Sequence, residues 1–150
     1  MTRKQKIMTA VLLVLGLAWT AFIFSRSMQS GAESSIESGQ LTAFLQSILG
    51  GIPVSEYFVR KLAHFGEYLI LSLPVTGAAM LPRRRWLPAI SWGYAVLVAL
   101  CDEFVVQALS VDRGARFSDV LIDSAGALVG TVAVVLLFFL TRRYQARRDQ

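Results

Sequence analysis

VLIDSAGALVGTVAVVLLFFL, residues 120–140, is the stretch of sequence that decides the fold class. Apart from Asp123, Ser124 and Thr131, it contains only apolar residues and glycines. An α-helix needs about 20 predominantly apolar residues to cross the hydrocarbon core of a bilayer. The stretch therefore predicts a transmembrane helix.

Three further stretches have the same character, so that the predicted spans cover about residues 7–25, 58–81, 86–108 and 118–140. The whole chain of 150 residues is 55% hydrophobic and 17% charged, with a mean hydropathy of +0.55. A soluble domain of this length carries more polar surface. We predict an all-α membrane protein, a four-transmembrane-helix bundle formed by a single domain over residues 1–150.

Basic residues gather on one side of this arrangement. They precede the first span at residues 3–6, separate the second and third spans at residues 83–85, and follow the fourth at residues 142–148. The positive-inside rule places this side, and with it both termini, in the cytoplasm. The net charge of +5 is then a topological signal and a contact with anionic lipid headgroups, so no nucleic acid partner is expected. The basic start also permits a signal peptide, although the apolar run is long for a signal core.

The loop between the first two spans is rich in Ser, Gly and Glu at its beginning and ends in QLTAFLQSILGG, residues 40–51. In this second part Leu41, Phe44, Leu45, Ile48 and Leu49 recur at helical spacing, and two glycines follow. The pattern predicts a short amphipathic helix that lies on the outer membrane face or caps the bundle. An ordinary packed loop helix is the alternative.

The second span begins with an unusual set of polar residues, RKLAHFGEYLI at residues 60–70. Because a helix turns by about 100° per residue, Arg60, His64 and Glu67 share an arc of roughly 60° on one face. Lys61 lies to the side of that face, where its ammonium group is expected to extend outward.

The third and fourth spans carry polar residues at the same outer end. Asp102 and Glu103 lie near the end of the third span, and Gln107 follows Glu103 by one turn on the same face. In the fourth span, Asp119 is expected at the surface and Asp123 one turn deeper.

The fourth span also carries a stripe at alternating spacings of four and three, formed by Asp119, Asp123, Gly126, Gly130 and Ala133. Small residues let transmembrane helices approach closely. The stripe therefore predicts that the carboxylates face the bundle interior.

Ionisable side chains from three spans are thus expected to meet at one depth in the outer half of the membrane. Charges in such positions cost roughly 2.5–3.5 kcal/mol each and by default mark a functional site. The alternative is a structural network of salt bridges that holds the helices in register. The candidate ligand-binding residues are Arg60, Lys61, His64, Glu67, Asp102, Glu103, Gln107, Arg113, Arg116, Asp119 and Asp123.

Three motifs in this order resemble the VanZ-like family of small bacterial membrane proteins. They are Arg60-Lys61-x-x-His64-x-x-Glu67-Tyr68, then Asp102-Glu103-x-x-x-Gln107, then Arg113 with Asp119, Asp123, Gly126 and Gly130. The resemblance covers roughly residues 57 to 135, and Asp123 stands where many relatives carry Asn. It implies a multi-pass protein of the bacterial inner membrane with a role in the cell envelope. The family takes its name from an accessory protein that lowers susceptibility to teicoplanin, a lipid-tailed glycopeptide antibiotic.

The first functional hypothesis is a module that binds an amphiphile in the outer leaflet. Arg60, Lys61, Arg113 and Arg116 would hold phosphate or sugar oxygens, and the carboxylates would orient these cations or bind amines and hydroxyls. The expected partners are membrane lipids and a cell-wall precursor or lipoglycopeptide. A homo-oligomer is compatible with the sequence.

Two other hypotheses stay open. In an intramembrane enzyme that acts on a lipid headgroup or precursor, His64, Glu67, Asp102 and Glu103 are the candidate catalytic residues for general acid–base chemistry. Some of them are also possible ligands of a divalent cation, but the spacing is not that of a strong metal signature, so no metal site and no cofactor is predicted. A proton or ion pathway ranks third, because the inner half offers almost no polar steps.

Overall fold

The structure, a computed structural model, describes residues 1–50, 52–82, 87–110 and 114–148. These residues form five α-helices: α1 (Arg3–Ser27), α2 (Gly31–Ile48), α3 (Glu56–Met80), α4 (Leu87–Cys101) and α5 (Phe117–Arg148). A π-helical turn at Asp102–Val106 and a short 3₁₀ helix at Gln107–Leu109 continue α4. The described ranges contain no strand, so the predicted all-α class is confirmed.

Helices α1, α3, α4 and α5 pack into one bundle in which α3 lies between α1 and α5. The α1 helix runs antiparallel to α3, with the indole Nε1 of Trp19 donating a hydrogen bond of 2.8 Å to the carbonyl of Glu67. The α5 helix runs parallel to α3, because Lys61 contacts Asp119 near the start of both helices and Thr76 meets Thr131 further along. The polar ends of all four helices therefore gather at one end of the bundle.

Three of the helical segments have the length and the apolar composition that a membrane span requires: α1, α4 with its continuation to Leu109, and α5. The α3 helix is of similar length, but its first half carries the charged motif that begins at Arg60. Large apolar side chains such as Leu17, Leu137 and Leu140 are more than 60% exposed. A protein surface of this kind is suited to contact with lipid tails.

The close approach of α3 and α5 depends on two glycines of the predicted stripe. A β-carbon on Gly126 would collide with the carbonyl oxygen of Phe65, and one on Gly130 would collide with Ser72 and Leu69. Both positions are buried, as are Asp119 and Asp123. The prediction that this face packs inward is confirmed for these four residues and is wrong for Ala133, which is exposed.

The α2 helix begins ten residues earlier than the apolar spacing predicts, because Ser30 and Glu33 form a capping box at its start. Hydrogen bonds from the backbone and hydroxyl of Ser30 lower the pKa of the Glu33 carboxyl and hold it in its charged form. At the other end the chain leaves the helix at Leu49, and Gly50 follows with a φ of 66°. The second glycine of the predicted stop, Gly51, lies outside the described residues.

The faces of α2 are arranged in a way that the sequence pattern does not predict. Its buried residues are Ser34 and Thr42, so a small and polar face packs toward the bundle. The apolar side chains point away, with Phe44 and Ile48 at least 60% exposed. An ordinary loop helix would bury these side chains, so the exposed face favours a position on the membrane surface.

Candidate functional site

The centre of the polar end is a contact between His64 of α3 and Asp123 of α5. The Nδ1 atom of His64 lies 3.5 Å from Oδ1 of Asp123, whose side chain is fully buried. The imidazole keeps 12% of its surface exposed, and His64 lines both of the polar cavities described below. Because its Nδ1 atom is buried, the exposed part of the ring faces those cavities.

A second pair closes the outer side of this contact. The ammonium group of Lys61 forms an ion pair with Asp119, and both side chains are about nine-tenths buried. The expectation that Lys61 extends outward is therefore wrong, because the nearby carboxylate of α5 attracts its ammonium group into the bundle. Asp119 is buried as well, because Lys61 covers it.

Asp102 and Glu103 belong to the π-helical turn that follows α4, and both are buried. The Oδ2 atom of Asp102 accepts a hydrogen bond of 2.9 Å from Ser27 at the end of α1. The amide of Gln107 donates to Glu103, in keeping with their spacing of four residues, and also approaches Asp102 at 3.4 Å. A π-helical turn re-aims the side chains of a helix and often occurs at functional sites.

Of the two cavities at the polar end, the larger, cavity 1, has a volume of about 300 Å³ and lies between α2, α3 and the start of α5. This volume is at the lower end of the range of roughly 300–1,000 Å³ that is usual for small-molecule sites. Among the described residues, three cations line it, Arg60, Lys61 and Arg116, against one carboxylate, Asp119. The arrangement favours an anionic group. The remaining lining residues are Gly31, Ala32, Ser34, Ser35, Tyr57, His64, Gln107 and Gly114.

A smaller polar cavity, cavity 2, has a volume of about 100 Å³ and lies between α1, α2 and α3. Its carboxylates are Glu37 and Glu67, and its cations are Arg26 and Arg60. Arg26 forms an ion pair with Glu37. The two cavities share the lining residues Ser34, Arg60 and His64, so they are two parts of one polar region.

Arg60 connects this region to α2. Its guanidinium group donates to Ser35 at 3.1 Å and approaches Ser38 at 3.4 Å, and it also forms an ion pair of 2.8 Å with Glu56. The α2 helix therefore lines both cavities, chiefly with Ser34, Ser35 and Ser38, whereas its Phe44 and Ile48 are exposed.

Several buried polar atoms in this region have no hydrogen-bond partner among the residues that the structure describes. They are Nδ1 of His64, the hydroxyl of Tyr68, Oδ1 of Asp102 and both carboxylate oxygens of Asp123. Buried polar groups without a partner are rare in proteins and call for a specific explanation. A bound ligand, a proton or a water molecule can satisfy the hydrogen-bonding capacity of such atoms. Among the described residues, no three His, Cys, Asp or Glu side chains converge to hold a metal ion.

The predicted site residues therefore fall into two layers. Arg60, Lys61, His64, Glu67, Gln107, Arg116 and Asp119 line the cavities. Asp102, Glu103 and Asp123 lie buried behind them. Arg113 lies outside the described residues.

Sequence reasoning missed the part that α1 and α2 play. Ser27 and Arg26 sit at the end of an apolar helix, and Glu37 lies in a stretch that resembles a flexible loop. The spacing of Ser30, Ser34, Ser38 and Thr42 at four residues each was the available signal, since it marks one face of a helix.

A comparison with protein families matches the chain over residues 11–139 to the family model described as VanZ/LLP1. The match includes all the described residues of the polar end, from Arg26 to Asp123. No curated protein and no solved structure matches the chain in the corresponding comparisons.

Proposed function

Because the chain belongs to the VanZ/LLP1 family, we propose that it is an integral membrane protein of the bacterial cell envelope that binds the polar headgroup of an amphiphile. The single observation that carries this proposal is cavity 1, a polar cavity lined by Arg60, Lys61 and Arg116 at one end of an otherwise apolar bundle. Cations in a partly desolvated site bind phosphate and sugar oxygens strongly. Apolar tails would lie against the exposed apolar surfaces of the bundle and of α2.

The proposed topology has four spans, with both termini in the cytoplasm and the polar end in the outer leaflet of the inner membrane. Three apolar helices support it, and α3 becomes the fourth span because the bundle covers its polar half. Lys61 and His64 each have an acidic partner on α5, which lowers the cost of placing these residues in a membrane.

The proposed ligand class includes phospholipids, cell-wall precursors and a lipoglycopeptide such as teicoplanin.

The proposal is tested with purified protein in detergent, by measuring the Kd for a fluorescent short-chain lipid with a phosphate headgroup. We expect Arg116→Gln to weaken binding by about tenfold, since one charge-assisted hydrogen bond is lost. The matched control is Arg143→Gln, which removes an exposed charge at the opposite end of α5 and should leave the Kd unchanged. Equal affinity of both variants and the unaltered protein would contradict the proposal.

The His64–Asp123 contact favours a second candidate function, an intramembrane enzyme that acts on a headgroup. A buried carboxylate beside one ring nitrogen, with the rest of the ring facing a cavity, is the arrangement that orients a histidine for general acid–base catalysis. Turnover of a headgroup by purified protein would then fall by a factor of about 10²–10⁴ in His64→Gln. If the protein binds the headgroup lipid but does not turn it over, the enzymatic function is contradicted and only the binding function remains.

A further inference from the structure

The two polar cavities differ in which of their charged groups are already engaged. In cavity 1, Lys61 pairs with Asp119 and Arg60 with Glu56. The guanidinium group of Arg116 makes no hydrogen bond or ion pair in the described part of the chain, although its backbone N–H donates to Glu103. Among the described cations of this cavity, Arg116 is therefore the one that is left unengaged.

In cavity 2, Arg26 is engaged by Glu37, which also accepts a hydrogen bond of 3.1 Å from Gln29. Glu67 is partly buried and lines this cavity. Its carbonyl accepts from Trp19, but no hydrogen bond or ion pair engages its carboxylate within the described ranges. Arg26 is close enough to interact with Glu67 electrostatically, yet its guanidinium group is directed to Glu37. Glu67 is therefore the available anion.

His64 and Arg60 line both cavities, the first of which Arg116 also lines and the second Glu67. Glu67 follows His64 by three residues and lies on the same face of α3. A ligand that spans the region thus meets a cation on one side of His64 and a carboxylate on the other.

We propose that the site is selective for headgroups that carry both a phosphate and a primary ammonium group, with the phosphate at Arg116 and the ammonium at Glu67. This inference rests on the proposed function, since it names the ligand class of the same site. Each charge of such a headgroup finds an unengaged partner of opposite sign, whereas a purely anionic headgroup leaves the partly buried Glu67 carboxylate unpaired and repels it. A diacyl phosphoethanolamine lipid and an amino-sugar polyprenyl phosphate share this chemistry.

The test compares two phospholipids with the same acyl chains, phosphatidylethanolamine and phosphatidylglycerol, by native mass spectrometry of the purified protein. We expect the unaltered protein to prefer phosphatidylethanolamine by about tenfold. Glu67→Gln, which keeps the shape of the side chain, should remove this preference, because it weakens binding of the ethanolamine lipid and relieves the repulsion of the glycerol lipid. Arg116→Gln should weaken both lipids and retain the preference. A second experiment tests the amino-sugar polyprenyl phosphate as the ligand, by comparing its affinity with that of its N-acetylated form. Acetylation removes the ammonium group, so a loss of affinity on acetylation would support the same chemistry.

Two results would overturn the inference and leave the proposed function intact: equal binding of both lipids by the unaltered protein, or equal weakening of both lipids by Glu67→Gln. The second result would assign Glu67 a structural role. Absence of binding to every phosphate lipid would contradict the proposed function itself.

Discussion

The imidazole Nδ1 of His64 and the carboxylate Oδ1 of Asp123 lie 3.5 Å apart on two parallel helices. Near this pair, Lys61 meets Asp119 in the same way, again from α3 to α5. Both contacts occur where the two helices begin, whereas the glycine contacts follow further along. The α3 and α5 helices are therefore joined by the contacts of Lys61 and His64 with acidic partners and by close backbone packing at Gly126 and Gly130.

Loss of one partner of the His64–Asp123 pair is expected to lower stability. His64→Gln leaves the fully buried carboxyl group of Asp123 without the imidazole beside it, which should cost about 1–3 kcal/mol in the free energy of unfolding. The measurement is thermal or denaturant unfolding of the purified protein in detergent. The double variant His64→Gln/Asp123→Asn should recover most of the loss, because two neutral amides can then face each other and no buried carboxylate is left without a partner. Additive losses in the double variant would show that the two residues do not interact.

The approach of α3 to α5 should be sensitive to the smallest added side chain. Gly126→Ala places a methyl group against the backbone carbonyl of Phe65, which cannot move without shifting α3. We expect a loss of about 1–3 kcal/mol in the free energy of unfolding, as in other overpacked cores. Gly93→Ala in α4 is the matched control, because no atom lies within 4 Å of its added β-carbon. This variant should be neutral or more stable, since alanine is the better helix former by roughly 0.5–1 kcal/mol. Equal behaviour of the two variants would contradict the packing.

The apolar runs predict where the helices of the bundle lie, because a long run of apolar residues has no other stable arrangement in a membrane. The spacing of polar residues within a run predicts which side chains face inward, as Asp123 and Gly126 show. The spacing does not predict which side chains of different helices pair, so the inward turn of Lys61 toward Asp119 was missed. The π-helical turn at Asp102 depends on tertiary contacts, such as that with Ser27, which no local pattern carries.

The exposed face of α2 should lie in the hydrocarbon region. In a Cys101→Ala background, a spin label at Phe44→Cys in reconstituted liposomes should be more accessible to oxygen than to a water-soluble nickel chelate. The matched control is Ser35→Cys, an exposed position that lines cavity 1, where the order of accessibility should reverse. Paramagnetic relaxation of the two labels provides the measurement. A label at position 44 that is more accessible to nickel would place α2 away from the membrane and argue against a role in covering a lipid site.

The proposed four-span topology depends on α3, since its first half carries Arg60, Lys61, His64 and Glu67. If α3 crosses the membrane, a reporter fused after Pro82 lies in the cytoplasm, and one fused after Gly50 lies outside. We expect alkaline phosphatase to be active after Gly50 and inactive after Pro82, with green fluorescent protein showing the opposite pattern. Fusions after Arg148 should behave like those after Pro82, because α4 and α5 then return the chain to the cytoplasm. Active phosphatase after Pro82 would mean that α3 does not cross, and the charged face of α3 would then belong to an interfacial helix instead of a site within the membrane.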